Sequence, residues 1–356
     1  MKITTLIATY KRPGTLKRAI SSALKQTYQD LQVSVFDDAS EDETQSVVHE
    51  MMKKDPRVKY YCHDNNMGAL ANFKFTFQHI DTPFFSILSD DDILAPDFYK
   101  QALDVFDQHP EIYFVVMDTL AIDQYGNLQD TSIPTDKLRL YLDCNRINAW
   151  LGGKLPRDWT GVVFRKEVAR IYLEMQDKYD VASDMRFLLL AIAKYPFAHL
   201  SRISAFFSIN HHSFSCNRRS HYFFRIIQLS RFAEVFYDPS IELTVKNQLE
   251  RHIYSIVKSI NPRESVIQLI KRAIKYHFSE YKVNIDDEIS ESRKMGMRLK
   301  PLQLKILFQT KLIQFLIELF FKKQYEKRKL RLKNQCLSLQ NGCYRDYFVF
   351  IKSLDA

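Results

Sequence analysis

Between Ile3 and Asp92, four short apolar runs alternate with segments of helical spacing, and every run breaks off into polar or acidic residues. Ile3 to Ala8 is β-branched and short, and reads as a buried first strand stopped by Thr9, Tyr10, Lys11, Arg12 and Pro13. Leu16, Ala19, Ile20, Ala23 and Leu24 then recur at helical spacing, which predicts a helix over Thr15 to Gln26. Leu31 to Phe36 is a second strand that ends on Asp37 and Asp38, and Val47, Val48 and Met51 mark a second helix. Val58 to Cys62 gives a third strand and Ala69 to His79 a helix. Phe84 to Leu88 gives a fourth strand that runs into Ser89 and three aspartates, Asp90 to Asp92. Such alternation predicts an α/β fold, a mostly parallel sheet with helices on its faces.

Parallel sheets of this kind receive ligands beyond the carboxyl ends of their strands, which is where these polar residues fall. Neither a G-x-G-x-x-G nor a G-x-x-x-x-G-K-[ST] loop occurs in the chain, so phosphate has to be held by other means. Carboxylates repel phosphate, but a divalent cation between them reverses the sign. Asp90 to Asp92 suit that arrangement, although Asp92 can equally serve as a cap for the helix that follows. Glycine is scarce, 8 in 356 residues, about 2% against a typical ~7%. That scarcity draws the eye to Gly68 and Gly161, which sit among polar residues.

The five cysteines are scattered and form no Cys-x-x-Cys pair, which argues against zinc or dithiol chemistry and for a reducing compartment. No signal-peptide pattern and no uncharged apolar stretch of spanning length is present in the sequence, so the expectation is a cytoplasmic protein. Charge is divided unevenly. Residues Ile241 to Ala356 hold 23 Lys/Arg against 12 Asp/Glu, and the first 240 residues hold 28 against 30, giving +11 and −2. A boundary near Asp238 and Pro239 follows, with residues 1–238 carrying the chemistry and 239–356 forming a basic helical region. Leu302 to Phe321 is densely apolar and is followed by Lys322, Lys323, Lys327, Arg328 and Lys329, a chemistry suited to an anionic membrane surface. An ordinary core or dimer helix is the competing reading. Nucleic acid is disfavoured because no recognition motif accompanies the charge.

Taken in order, Ile7-Ala-Thr-Tyr-Lys-Arg, Val35-Phe-Asp-Asp-Ala-Ser, Asn66-Met-Gly68 and Ser89-Asp-Asp-Asp-Ile-Leu-Ala-Pro-Asp97 resemble the motifs of the GT-A glycosyltransferases of family 2. The resemblance covers roughly residues 1–215 and is strongest in the first hundred. It implies a GT-A nucleotide-binding sheet, a nucleotide-diphosphate sugar donor with UDP-sugars first among them, a Mn²⁺ or Mg²⁺ ion, and transfer with inversion to a hydroxyl of a glycan or glycolipid. The setting it implies is surface polysaccharide or lipopolysaccharide synthesis, with the enzyme peripheral at the cytoplasmic face of the membrane; a homodimer is a candidate assembly on the dimer reading of the C-terminal helix.

Carried over by position, Ala8, Thr9, Tyr10, Arg12, Asp37, Asp38, Asn66, Gly68, Asn72 and Asp90 would line the donor site. Tyr10 could stack on the base or simply pack as a strand-end aromatic. Since Ser89 stands where relatives often have the first aspartate, Asp90 would touch ribose and Asp91 would be the main metal ligand, with Asp92 and His211 beside it. Asn210 competes with His211 for the same place. The resemblance places the catalytic base at Asp184, with Asp180 in reserve; the alternative is a helix N-terminal acid with no chemical role. Trp159, Thr160 and Gly161 would hold the acceptor, Trp159 by stacking on a sugar face or else as an ordinary packed indole. Two other functions share parts of this pattern: a sugar nucleotidyltransferase, which should carry a glycine-rich N-terminal loop that this chain lacks, and a non-catalytic membrane scaffold.

Overall fold

A computed structural model describes residues 2–175 apart from 124, 131, 154, 156 and 157, then 183–209, 235, 238–258 and 345–354. Strands β1 (Ile3–Thr9), β2 (Leu31–Asp37), β3 (Val58–Cys62) and β4 (Phe84–Ile87) alternate with helices α1 (Pro13–Leu24), α2 (Thr44–Lys54) and α3 (Ala69–Gln78). There follow β5 (Ile93–Leu94), α4 (Phe98–Gln108), β6 (Phe114–Asp123), β7 (Leu138–Tyr141), α5 (Arg146–Leu151), β8 (Val162–Arg165), α6 (Ala169–Glu174), α7 (Ser183–Lys194) and β9 (Phe197–Ile209). Further helices span Leu243–Lys258 and Arg345–Lys352.

All nine strands form one sheet, ordered β3-β2-β1-β4-β8-β6-β9-β5, with β7 also on β9. The first four are parallel, as the βαβ rhythm requires, while β8 runs antiparallel to both β4 and β6. The expected mostly parallel α/β sheet is therefore present, with its antiparallel strands in the second half. Parallel register sets Thr9 level with Asp37, so the polar residues after β1 and β2 leave the sheet at the same height.

Helix α1 starts on Pro13, whose missing N–H costs nothing in a first turn. It buries Leu16, Ala19, Ile20 and Ala23 against β1 and β2. From the same helix, Ser22 Oγ accepts from Leu94 N–H (3.1 Å) and the Gln26 amide donates to Ala95 O (2.7 Å). Those bonds fix the chain just past the three aspartates. The opposite face of the sheet carries an aromatic core of Phe77, Phe85, Trp159, Phe164, Tyr172 and Phe187.

The expected boundary near Asp238 is not a break in packing. Ile241, Val245 and Leu249 belong to the same apolar cluster as α5 and α7. Farther along, Ile351 and Leu354 pack on Ile93, Leu120, Ile122 and Phe206, and Lys25 Nζ donates to Ser353 O at 2.9 Å. Among the described residues no helix is long and apolar enough to cross a membrane. The Leu302 to Phe321 segment lies outside the described residues.

Candidate active site

Three of the four described non-glycine residues in the left-handed region lie where β1 and β2 end: Lys11 (φ 56°), Ala39 (φ 57°) and Glu41 (φ 51°). Such conformations cost energy and persist where the surroundings enforce them. Here they turn the chain sharply so that the strand-end side chains share one crevice.

Asp90 lies at its centre. Thr9 Oγ1 donates to one carboxylate oxygen (2.8 Å) and Arg12 Nη1 to the other (3.0 Å). The same Arg12 nitrogen is 3.1 Å from Asp91 Oδ2, so one guanidinium holds both acids. Burial pushes the Asp90 carboxyl up to about 6, opposed by Arg12 and reinforced by Asp91. Burial also raises Asp91, again against Arg12. The acids thus collect negative charge in a poorly solvated place, an arrangement that attracts a cation.

That donor set suits a hard divalent ion. Two aspartates already converge on one positive group, and carboxylate oxygens are what Mg²⁺ and Mn²⁺ prefer. Among the described residues no cluster of three or more His, Cys, Asp or Glu could hold an ion alone. The fit is therefore to an ion that takes one or two carboxylates and completes its shell with water and phosphate oxygens.

Asp92 does not join its neighbours, which corrects its expected place among the metal ligands. Its Oδ2 accepts from Thr160 Oγ1 (2.6 Å) and its Oδ1 from Ser208 N–H (2.8 Å), and the residue is buried. It ties the turn after β4 to β9. Burial and the nearby Asp91 hold its carboxyl well above the ordinary range.

On the donor side, Ala8 is partly exposed at the end of β1, while Tyr10 is 43% exposed with Lys11 Nζ 5.1 Å from its ring centre. Asp38 accepts from Met67 N–H (2.7 Å) and Gly68 N–H (2.9 Å), and Asn66 donates to Asp38 O (3.3 Å). Gly68 holds φ 84° at the start of α3, a value that suits glycine and aims its N–H at that carboxylate. Asp37 is turned inward: Ser40 N–H (3.1 Å) and the Ser40 hydroxyl bond one oxygen, and Tyr60 OH (2.6 Å) bonds the other. It braces the loop after β2 and also walls a small pocket of about 160 Å³ with Ala39, Tyr60, Cys62 and His63. Asn72 is corrected, because it is buried and donates to Phe36 O (2.9 Å), which locks α3 to β2.

The acceptor assignments fare differently from expectation. Trp159 is 6% exposed, with Phe73 at 4.9 Å and Tyr172 and Phe187 at 6.4 Å between ring centres, so it is core and offers no stacking face. Thr160 is spent on Asp92. At Gly161 a Cβ would meet Thr119 Cγ2 at 2.7 Å and Met117 O at 2.8 Å, so this glycine answers to close packing against β6 and not to a ligand. Asp184 stands in the first turn of α7, half-buried. His211, Asn210 and Asp180 lie outside the described residues.

One acid escaped notice in the sequence. Asp158 accepts from Thr119 Oγ1 (3.1 Å), and burial raises its carboxyl against that bond and against the backbone N–H groups of Asp158, Gly161 and Thr160. It is close enough to act electrostatically on Asp92. An acid directly before a Trp-Thr-Gly turn was the available signal.

Residues 4–169 match the family model described as Glycosyl transferase family 2. The GalNAc(5)-diNAcBac-PP-undecaprenol beta-1,3-glucosyltransferase of Campylobacter jejuni is 33% identical over 129 residues, 36% of this chain and 40% of that protein. The chondroitin synthase of Escherichia coli is 32% identical over 124 residues, 34% of this chain and 18% of that one. The aligned stretches thus span well under two thirds of those relatives. Among solved structures, S. aureus TarS 1-349 in complex with UDP-GlcNAc superposes with TM-score 0.57 at 15% identity, covering 96% of this chain and 92% of that one. Mannosyltransferase PcManGT from Pyrobaculum calidifontis, in complex with GDP-Man and Mn²⁺, gives TM-score 0.51 at 15% identity, with 90% and 88% covered. Residues 4–169 therefore carry a glycosyltransferase family 2 domain, and the sheet that presents its acidic strand ends has the same fold as TarS.

Proposed function

We propose that the chain is an inverting glycosyltransferase that moves a sugar from a nucleotide-diphosphate donor, a UDP-sugar in the first instance, to a hydroxyl of a glycan or glycolipid. The observation that carries this reading is the pair Asp90 and Asp91 gathered on Arg12 at the ends of β1 and β4. The names of relatives that act on undecaprenol-linked glycan and of neighbours bound to UDP-GlcNAc or GDP-Man support the substrate classes.

Asp91 and Asp90 would hold a Mn²⁺ or Mg²⁺ ion. Such an ion, when bound, neutralises charge on the departing diphosphate. Tyr10 and Ala8 border the base, and Asp38 with the Asn66 to Gly68 loop borders the ribose side. Asp184 is the proposed base: it takes the proton of the acceptor hydroxyl while that oxygen bonds to the anomeric carbon and the carbon–oxygen bond to the diphosphate breaks. Residues 1–238 carry the transferase chemistry, and 239–356 are a basic region that packs onto them through Ile241, Val245 and Leu249 and meets a membrane surface, where a lipid-linked acceptor would be found.

The test is a transfer assay with purified protein, Mn²⁺ and a panel of nucleotide sugars. Metal-dependent release of nucleoside diphosphate, an inverted product anomer, and an Asp184→Asn variant with lowered kcat at unchanged donor KM are expected. Release of pyrophosphate would replace this reading with nucleotidyl transfer, and normal turnover by Asp184→Asn would remove Asp184 from the chemistry.

A further inference from the structure

Near its end, strand β9 meets the acid turn through one serine. Ser208 is 6% exposed, and on one side it lies level with Ile122 of β6. On the other side its N–H donates to Asp92 Oδ1 (2.8 Å) and its hydroxyl donates to the carbonyl oxygen of Asp91. A single residue therefore grips two successive aspartates, one by its side chain and the other by its main chain.

The register of β5 on β9 shows what the hydroxyl replaces. The two strands run antiparallel with Ile93 opposite Phe206 and Leu94 opposite Ala205, and Ala95 N–H donates to Ser204 O (2.8 Å). Bonded rungs recur at every second residue of such a ladder, so its continuation would set Asp91 opposite Ser208 and bond Ser208 N–H to Asp91 O. That bond is exchanged. The N–H turns to the Asp92 carboxylate, and the Ser208 hydroxyl takes its place on Asp91 O. An apolar side chain at this position has no donor to offer that carbonyl.

We infer that Ser208 is a positioning residue for the metal-binding carboxylate of Asp91. The inference rests on the proposed function, in which Asp91 holds the ion. The peptide joining Asp91 to Asp92 is planar, and Ser208 fixes it both at its carbonyl and through the Asp92 side chain. Thr160 Oγ1 holds the other Asp92 oxygen at 2.6 Å. With this peptide held, the Asp91 side chain, 13% exposed, is directed to the place where Arg12 bonds it. Carboxylate ligands depend on such groups behind them to keep their orientation. Ser204 supplies the control: it lies on the same strand and is fully buried, but its hydroxyl donates to Asp118 O (3.1 Å).

Mn²⁺ binding in the presence of UDP, read from the electron paramagnetic resonance signal of the free ion, tests this alongside thermal unfolding. Ser208→Ala should raise the Mn²⁺ dissociation constant about three- to tenfold, the effect of one lost hydrogen bond behind a ligand. Ser208→Thr keeps the hydroxyl and should bind Mn²⁺ as wild type does. Ser204→Ala should unfold at a lower temperature and still bind Mn²⁺ normally. In the transfer assay, Ser208→Ala should need more Mn²⁺ for half-maximal rate while its donor KM at saturating Mn²⁺ stays unchanged. Wild-type Mn²⁺ affinity in Ser208→Ala overturns the inference and leaves the proposed function standing. An equal loss of affinity in Ser204→Ala overturns it too, because general loosening of β9 then accounts for both variants. A wild-type protein that binds no Mn²⁺ overturns this inference together with the metal part of the proposed function.

Discussion

Arg12 reaches from the end of β1 to Asp91, with Nη1 3.1 Å from Oδ2, and with the same nitrogen it also binds Asp90 at 3.0 Å. A cation supplied by the protein therefore sits on the very carboxylates proposed to receive a metal. The two cations compete for the same oxygens. Arg12→Ala should lower the unfolding temperature by a few degrees, because it strips the cation from two carboxylates that are only 9% and 13% exposed and repel each other. Mn²⁺ should then stabilise the variant at lower concentration than it stabilises wild type. Identical Mn²⁺ titrations by thermal shift would show that Arg12 and the ion do not share a place.

Asp92 and Asp91 are adjacent in sequence but opposite in duty, and substitution separates them. An amide at position 92 can accept from Ser208 N–H with its oxygen and donate to Thr160 Oγ1 with its nitrogen, so Asp92→Asn should keep transfer activity within a few-fold. Asp92→Ala strands a buried N–H and should cost about 1–3 kcal/mol in a denaturant titration. Asp91→Asn should lower metal-dependent turnover about a hundredfold with the fold intact. Equal losses from Asp91→Asn and Asp92→Asn would put both in the metal shell.

Gly161 marks where two strands press together. Its Cβ position is 2.7 Å from Thr119 Cγ2 and 2.8 Å from Met117 O, and the second of these is backbone that cannot rotate aside. Met117 N–H also donates to Gly161 O (2.9 Å), which pins the separation. Gly161→Ala should destabilise the protein by about 1–3 kcal/mol through overpacking. A variant as stable as wild type but weaker in acceptor binding would restore a ligand role to this position.

The first half of the sheet was legible because β1 and β2 are compact β-branched runs, β3 and β4 are short runs rich in aromatic residues, and each helix repeats its apolar residues on one side. Reading Asp37, Asp38 and Asp90 to Asp92 as strand-end groups followed from that rhythm alone. What could not be read was direction. Asp92 turns inward because Ser208 awaits it from β9, 116 residues away, and local sequence carries no trace of that partner. Trp159 is enclosed by rings from α3, α6 and α7, so its burial is a property of three separate segments. Asn72 falls in the donor site by position, yet its bond to a carbonyl on β2 makes it a strut. The long strand β9 and the edge strand β7 rest on pairings that only the assembled sheet reveals.

Asp158 gives a pH dependence that needs no substrate. Burial raises its carboxyl above the ordinary value, against the Thr119 hydrogen bond and the backbone N–H groups of Asp158, Gly161 and Thr160. In the unfolded chain the same group titrates near ~3.9. Between the unfolded and the folded value the native state holds the extra proton, so stability falls as pH rises through that window and stays lowered above it. Below the unfolded value both states are protonated and the group contributes no pH-dependent term. Asp158→Asn keeps an oxygen to accept from Thr119 and removes the charge. The variant should therefore unfold at a higher temperature than wild type at about pH 8, with the difference shrinking toward about pH 4. Thermal melts across that range decide it: a variant less stable than wild type at the alkaline end would mean that the ionised carboxylate has a favourable partner in the native protein.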